Sequence, residues 1–172
     1  MNIDKIKMLY GGKIKAEYKY GVLLENQNEY ILIDKTGKKH IIDKGYCAKE
    51  VYNRYFVGTF VGTFVGTNVF CKNILVDMET GKEIDNIGNI HILYDCIVLS
   101  SPADVIILNH NLDTMWKQST KGCVQSISIH KNTEDALFVV AVVEVEYSDR
   151  NLYIEYDKKT NNIYSRWDDD RY

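Results

Sequence analysis

The amino-acid sequence predicts an all-β protein, on three observations. Short segments rich in β-branched and aromatic residues follow one another along the 172 residues, separated by turns of Gly, Asn and Asp. No long segment shows the apolar period of an amphipathic helix. A hairpin pattern, clearest in residues 74–84 (ILVDMETGKEI), returns in three other places. These features favour repeated antiparallel sheets joined by short turns.

The clearest hairpin shows how the pattern is built. Apolar residues precede Asp77, the next three residues carry the turn, and Gly81 supplies a positive φ before the return strand begins at Lys82. Related stretches lie at residues 30–41, 105–116 and 152–164, and the turn of the first is one residue shorter. The aligned polar anchors are Asp34, Asp77, Asn109 and Asp157, and the aligned positive-φ positions are Gly37, Gly81, Asp113 and Asn161. Gly, Asp and Asn tolerate the left-handed region best, so the alignment has a physical basis.

The spacing of the anchors predicts repeats. They lie 43, 32 and 48 residues apart, which is typical of repeats that each form a four-stranded sheet. The approximate repeats are then 1–45, 46–88, 89–121 and 122–172, within a single all-β domain, 1–172. Hairpins rich in Asp and Gly also recur in antiparallel proteins without repeats, and this alternative stays open.

The hairpins resemble blades of the WD-repeat and quinoprotein-type β-propellers, which carry an apolar strand, an aspartate, a Thr-Gly-Lys turn and often a Trp on the return strand. The residues that carry the resemblance are Asp34, Thr36, Gly37 and Lys38; Asp77, Thr80, Gly81 and Lys82; Trp116; and Asp157, Thr160 and Trp167. The chain lacks the Gly-His pair, the Trp-Asp dipeptide that ends a blade strand in the usual register, and any cofactor motif. The resemblance implies about four antiparallel β-meander repeats in a β-propeller-like arrangement, as a small closed ring, an open array or a half-ring completed by a second copy.

Three further segments have a predicted conformation. Residues 3–9 are expected to form a short first strand that ends at Gly11 and Gly12, and residues 13–20 alternate as a half-buried strand does. Residues 136–147 are expected to form a nearly continuous apolar strand of which only the end meets water on one face. Residues 148–151 then form a polar joint before the last hairpin.

Residues 56–70, FVGTFVGTFVGTNVF, repeat with a period of four. A shift of four residues returns each side chain to the same face of a strand, so the pattern specifies the strand register only weakly. The length predicts either a long bent strand or a hairpin that turns at Gly62 or Gly66. The segment serves either as sheet core or as a surface that contacts a partner.

Composition limits the function classes. The net charge of −3 and pI near 5.8 make nucleic acid an unlikely partner. The N-terminal residues lack the apolar core of a secretion signal, and no apolar run is long enough for a membrane span, so we expect a cytoplasmic protein with no membrane partner. The four cysteines, Cys47, Cys71, Cys96 and Cys123, are widely spaced and are expected to be buried free thiols.

The sequence shows no catalytic, cofactor or metal motif. The four histidines are scattered, and His40 and His110 lie in or beside hairpin turns, where solvated side chains are common. Residues 168–170, Asp-Asp-Asp, are expected to form a solvated tail. We therefore expect no enzyme activity, no cofactor and no bound metal.

Tyrosine is plentiful, with 13 residues, and it suits protein interfaces because it combines apolar area with a hydrogen-bonding group. The sequence predicts a non-enzymatic module that binds another protein, with partner contacts at Tyr18, Tyr20, Tyr52, Tyr55, Trp116 and Trp167. The composition, rich in Ile, Lys, Asn and Tyr, favours a phage or mobile-element inhibitor or decoy of a host protein. The alternatives are a propeller that binds a small molecule or glycan, and an enzyme whose site the sequence hides. Unprotected strand edges also predict either a ring that the N-terminal segment seals or a homodimer joined edge to edge.

Overall fold

The computed structural model describes residues 3–27, 29–61 and 71–168. Within these ranges the chain forms one helix and sixteen strands. They are α1 (Ile3–Tyr10), β1 (Lys13–Tyr18), β2 (Gly21–Glu25), β3 (Glu29–Asp34), β4 (Lys39–Asp43), β5 (Tyr46–Tyr52), β6 (Tyr55–Val61), β7 (Cys71–Asp77), β8 (Glu83–Ile87), β9 (Ile90–Ile92), β10 (Ile97–Ser101), β11 (Asp104–Leu108), β12 (Thr114–Ser119), β13 (Cys123–Asn132), β14 (Ala136–Val145), β15 (Ser148–Asp157) and β16 (Asn162–Trp167).

The strands form four sheets of four, each taken from consecutive strands: β1 to β4, β5 to β8, β9 to β12, and β13 to β16. Each sheet is a meander, and the described pairings are antiparallel. This confirms the predicted fold class, all-β with four antiparallel meander repeats. It is compatible with the resemblance to propeller blades, while the ring, open-array and half-ring arrangements stay predictions.

The chain divides into two compact units, Met1–Asp85 and Asn86–Tyr172. In the first unit, an apolar cluster that includes Leu23, Leu32, Phe56 and Val76 brings side chains of the first two sheets together. In the second unit, a larger cluster joins β10 and β11 to β13, β14 and β15. Each unit therefore has a hydrophobic core of its own.

The first element differs from the prediction, because residues 3–10 form α1 and not a strand. Ile6 and Tyr10, four residues apart, pack on the apolar cluster of the first sheet, which is the spacing of one helix face. Gly11 and Gly12 have φ of 64° and 87° and end the helix in the left-handed region. The prediction gave too much weight to the β propensity of isoleucine in a segment too short to show a period. The next prediction is confirmed for residues 13–18, because β1 alternates exposed and half-buried residues, whereas residues 19 and 20 form the turn into β2.

The hairpin turns confirm three of the four predicted positive-φ positions. Gly37, Gly81 and Asn161 have φ of 89°, 73° and 55°. In the third hairpin the prediction of Asp113 is wrong, and Leu112 has the positive φ, 59°. The amide of Asp113 instead donates to the Asn109 side chain at 3.0 Å, as the amide of Lys38 does to Asp34 in the first hairpin. The third turn therefore has the same length as the first turn, which is one residue shorter than the turn after Asp77.

The long apolar segment near the C-terminus folds as a tight hairpin. β14 ends at Val145, Glu146 and Tyr147 turn with φ of 48° and 67°, and β15 begins at Ser148. The expected polar joint at 148–151 is thus the start of a strand. One face of β14 is buried and the other is only half-buried along most of its length, which the prediction of a largely buried strand did not anticipate. In the FVGT segment, β6 covers residues 56–61, and the proposed turn at Gly62 or Gly66 lies outside the described residues.

Candidate binding surface

The last sheet has an apolar face that its own unit does not fully cover. On β14, Leu137, Val139, Ala141 and Val143 point into the core of the second unit and are buried. The intervening residues Phe138, Val140 and Val142 lie on the opposite face and are half-buried. We call this opposite side the outer face. It consists of Phe138, Val140, Val142, Tyr153, Glu155, Tyr164 and Arg166.

Strand register brings the aromatic residues of the outer face side by side. Phe138 pairs with Glu155, Glu155 pairs with Tyr164, and Tyr153 pairs with Arg166. The Phe138 and Tyr153 rings are 6.2 Å apart and nearly parallel, at 18°. Phe138 also meets the edge of His130 on β13 at 6.0 Å and 81°. The rings thus form a continuous aromatic strip across the strands.

A shallow groove runs along this strip. Its lining residues are Phe138, Tyr153, Glu155, Tyr164, Ser165 and Arg166, and its cavity volume is about 70 Å³. Tyr164 is 61% exposed at one side of the groove. Pockets for drug-sized ligands usually occupy about 300–1,000 Å³, so this groove is better suited to one or two side chains of a protein.

Two opposite charges lie on the outer face. The Arg166 guanidinium carbon is 5.0 Å from the centre of the Tyr153 ring, a cation–π arrangement that holds the guanidinium over the aromatic strip. Within the described ranges, neither Arg166 nor Glu155 has an ion-pair partner. Both charged side chains line the groove, where a partner can place groups of opposite charge.

In the first unit, the titratable side chains of Asp34, His40 and Glu83 form a hydrogen-bonded triad. His40 Nε2 is 2.8 Å from Asp34 Oδ2, and His40 Nδ1 is 2.6 Å from Glu83 Oε2. Asp34 and His40 are buried, which corrects the expectation that His40 is a solvated surface residue.

The electrostatics of Asp34 follow from the same contacts. Burial raises the pKa of its carboxyl, but hydrogen bonds from Thr36, His40 and the Lys38 amide, with the His40 charge, outweigh burial and leave the pKa below its usual value. Further bonds run between the same two hairpin turns: the Lys35 amide donates to Met78 O at 2.8 Å, and Lys38 Nζ donates to Gly81 O at 2.6 Å. We interpret the triad as part of the joint between the two turns.

A buried lysine forms the matching joint in the second unit. Lys158 Nζ is 2.5 Å from Asp95 Oδ2 and donates to Asn132 Oδ1 and Thr133 O, each at 2.6 Å. Its side chain is 8% exposed. Burial lowers the pKa of Lys158, but the hydrogen bonds to Asp95 and Tyr94 and the Asp95 charge raise it by more. The contacts tie the turn after β15 to the turns after β9 and β13.

The cysteines within the described ranges agree with the prediction of free thiols. Cys96 is free and buried, and Cys123 is free and half-buried. Burial first, and then the neighbouring Asp95 charge, raise the pKa of Cys96 to about 12. The side chains of Cys47 and Cys71 lie outside what the structure describes.

The six predicted partner residues are dispersed over both units. Tyr18 and Tyr20 are half-buried and pack on the first core, with the Tyr18 ring 6.3 Å from Phe56. Tyr55 is buried, and Tyr52 is 47% exposed with its hydroxyl bonded to Glu50. Trp116 and Trp167 are half-buried beside the core of the second unit. Four of them lie in the first unit and two in the second, and their role in partner binding stays a prediction.

The outer-face residues were not among the predicted contacts. Sequence alternation alone places Phe138, Val140 and Val142 on one face, but it does not tell which of two apolar faces is covered. The described residues contain no group of three or more His, Cys, Asp or Glu side chains that could hold a metal ion. None of the helical structure described is long and apolar enough to cross a membrane.

The chain matches no protein-family model and no curated protein. Among solved structures it is similar to a eukaryotic initiation factor, with 9% identity over 90% of this chain and 46% of the other, at a TM-score of 0.47. A chain from the structure of S. cerevisiae Dbp5 bound to Nup159, Gle1, IP6 and ADP shows 10% identity over 88% of this chain and 45% of the other, at a TM-score of 0.42. Kluyveromyces lactis Hsv2 shows 7% identity over 91% and 72%, at 0.34. The chain thus spans less than half of the first two proteins, and at these TM-scores the likenesses do not bear on function.

Proposed function

We propose that this protein is a non-enzymatic module that binds another protein through the outer face of its last sheet. The observation that carries the proposal is the aromatic strip at Phe138 and Tyr153, which are half-buried, with the exposed side chains of Tyr164 and Arg166 beside it. Tyr and Arg are the residues that most often dominate protein-binding energy. An inhibitor or decoy that acts on a host protein is the concrete form we favour.

The shape and charge of the surface support a protein partner over a small ligand. The groove is open and small, and a bound small molecule would leave most of its own surface in water. Arg166 and Glu155 flank the apolar strip, which is the arrangement of a polar rim beside an apolar interface centre.

The test compares capture by the wild-type protein and by a variant of the outer face. The double variant Tyr164→Ala/Arg166→Ala removes two exposed side chains and leaves the buried face of the sheet unchanged. From a lysate of the source cells, the wild-type protein should capture one stoichiometric protein, and the purified partner should bind the double variant at least about tenfold more weakly in calorimetry.

A matched control separates the outer face from general surface changes. Ile41→Ala removes an apolar side chain of similar exposure, 58%, on β4 of the first unit, and should leave the affinity within about twofold. Equal affinity of the wild-type protein and the double variant would overturn the proposed surface. A glycan-array signal without a captured protein would favour the carbohydrate alternative, and turnover by the isolated protein would favour an enzyme.

A further inference from the structure

The strands at the ends of the four sheets differ in how well they are protected against pairing. Natural proteins protect such edges with bulges, short strands, charges or proline. Of the eight end strands in the described part of the chain, β1, β5, β12 and β13 have register shifts against their neighbours. β4 and β8 have five residues each, and β9 has three. These seven edges are bulged or short.

β16 is the exception. It has six residues, Asn162–Trp167, and pairs with β15 residue by residue without a shift. It contains neither proline nor lysine, and its one charged residue is Arg166. The described residues place no strand on its other side. β16 is therefore the longest regular edge that the described sheets present.

The hydrogen-bond ladder shows which backbone groups face this edge. The Asp168 amide donates to Asn151 O at 3.1 Å, so this is a hydrogen-bonded pair of the antiparallel ladder. Hydrogen-bonded and non-bonded pairs alternate along such a ladder. The pairs at Arg166 and Tyr164 are then hydrogen-bonded to β15, whereas the N–H and C=O groups of Ile163 and Ser165 point away from it. These outward groups are spaced as an added strand requires for its main-chain hydrogen bonds.

We propose that β16 accepts an extended segment of the partner protein as a fifth antiparallel or parallel strand of the last sheet. This inference rests on the proposed function, because it specifies how the partner is held. Main-chain hydrogen bonds to Ile163 and Ser165 supply affinity, and side chains on alternate positions supply specificity. The segment belongs to another protein, because a second β16 would bring no Asp or Glu to Arg166.

The outer face specifies the side chains of that segment. Residues of an added strand on this face lie beside Tyr164 and Arg166. The Arg166 guanidinium, held over Tyr153 and without a carboxylate partner in the described ranges, fits an Asp or Glu of the segment in bidentate geometry. The groove between Phe138 and Tyr164 takes a neighbouring apolar or aromatic side chain. The favoured segment alternates in the manner of a strand and carries a carboxylate and an apolar residue on one face.

The test uses selection from a displayed library of random linear peptides on the intact protein. The selected peptides should alternate as described and should protect the amide hydrogens of Ile163 and Ser165 from exchange. Ser165→Pro removes the outward N–H without breaking a bond to β15, and edge strands tolerate proline at such a position. It should weaken binding of a selected peptide at least about tenfold, whereas Ile41→Pro, which removes an outward N–H from β4 at the edge of the first sheet, should change it by less than about twofold.

A second measurement does not depend on the fold of the proline variant. Methylation of single backbone nitrogens of the peptide should weaken binding at every second position only, because alternate amides face β16. Peptides that bind Ser165→Pro and wild type equally, or that show no period of two on methylation, overturn the added strand. So does a selection that yields no binding peptide, and so does a dimer of this chain in light scattering that Ser165→Pro converts to a monomer. If Tyr164→Ala/Arg166→Ala still loses the captured protein in any of these cases, the outer face stands and only the added strand fails.

Discussion

Gly37 and Gly81 occupy equivalent turn positions, yet an added side chain meets different surroundings at each. Both have φ in the left-handed region, 89° and 73°. A Cβ on Gly37 meets no atom within 4 Å, whereas a Cβ on Gly81 lies 2.7 Å from Asp34 Oδ2. The first site is therefore restricted by the backbone alone, and the second also by the buried Asp34.

We expect Gly37→Ala to lower the free energy of unfolding by about 1 kcal/mol, the cost of the left-handed region for a residue with a Cβ. Gly81→Ala should cost about 2 kcal/mol or more, because Asp34 must also move from its hydrogen bonds. Urea unfolding of the two variants measures the difference. Equal losses would show that the joint between the two turns is looser than the described distances indicate.

The lowered pKa of Asp34 also predicts that the protein loses stability at acidic pH. Because its pKa is lower in the folded protein than the ordinary 3.8, the unfolded chain binds the proton more readily. The contribution of Asp34 is therefore fully present above about pH 5 and is lost as the pH falls through 3.8 toward the folded value. Urea midpoints between pH 6 and pH 3 should fall more steeply for wild type than for Asp34→Asn. Parallel curves would exclude this residue as a source of acid sensitivity.

At the scale of elements, two adjacent lysines in the turn after β15 provide a matched pair. Lys158 is buried against Asp95, whereas the side chain of Lys159 is 69% exposed and pairs with the exposed Asp135 at 3.0 Å. Removal of one partner from a buried pair leaves an uncompensated charge, while exposed pairs contribute little. The turn should therefore depend on one lysine and not on its neighbour.

We expect Lys158→Met to destabilise the protein by about 3 kcal/mol or more and Lys159→Met by less than about 1 kcal/mol. Thermal and urea unfolding measure both values. The double variant Lys158→Met/Asp95→Leu should recover part of the loss, because it removes the unpaired carboxylate. A loss at Lys158 no larger than at Lys159 would mean that the buried bonds to Asp95, Asn132 and Thr133 do not hold in solution.

The elements that the sequence predicted well are those fixed by local chemistry. The hairpins at Asp34, Asp77, Asn109 and Asp157 depend on a side-chain acceptor and a turn residue within a few positions, so the pattern finds them. In α1 the sequence carries too few turns for its period to exceed the β propensity of isoleucine. At Leu112, an ordinary residue accepts the left-handed region because the Asn109 side chain fixes the shorter turn.

The candidate surface and the triad escaped prediction because they depend on contacts between distant residues. Asp34, His40 and Glu83 meet only when two hairpins dock, and nothing in the local pattern of His40 distinguishes it from a solvated histidine. The outer face depends on which side of the last sheet the core covers. Alternation in β14 gives the two faces, but only the packed structure shows that Leu137, Val139 and Ala141 take the buried one.

At the scale of the whole molecule, the two units predict two cooperative steps. The first unit has the core of Leu23, Leu32 and Phe56, and the second has a core of its own around Val139 and Ile154. Contiguous units with separate cores often open separately in native-state hydrogen exchange. Of the variants described above, Gly81→Ala destabilises the first unit and Lys158→Met destabilises the second.

We expect Gly81→Ala to reduce amide protection chiefly within residues 1–85, and Lys158→Met chiefly within residues 86–172. Native-state hydrogen exchange read by mass spectrometry of peptic fragments compares the two patterns. Equal reduction over both units in either variant would show a single cooperative unit, with one unfolding transition for the whole chain.

The pKa of Cys96, about 12, turns this thiol into a reporter of opening. At pH 7 only roughly one molecule in 100,000 carries the reactive thiolate while the core is closed. Opening of the second unit returns the thiol to an ordinary pKa near 8.5 and exposes it, so its alkylation rate rises by orders of magnitude. The rate at which a thiol reagent modifies Cys96 therefore measures how often this core opens, and no probe residue has to be introduced.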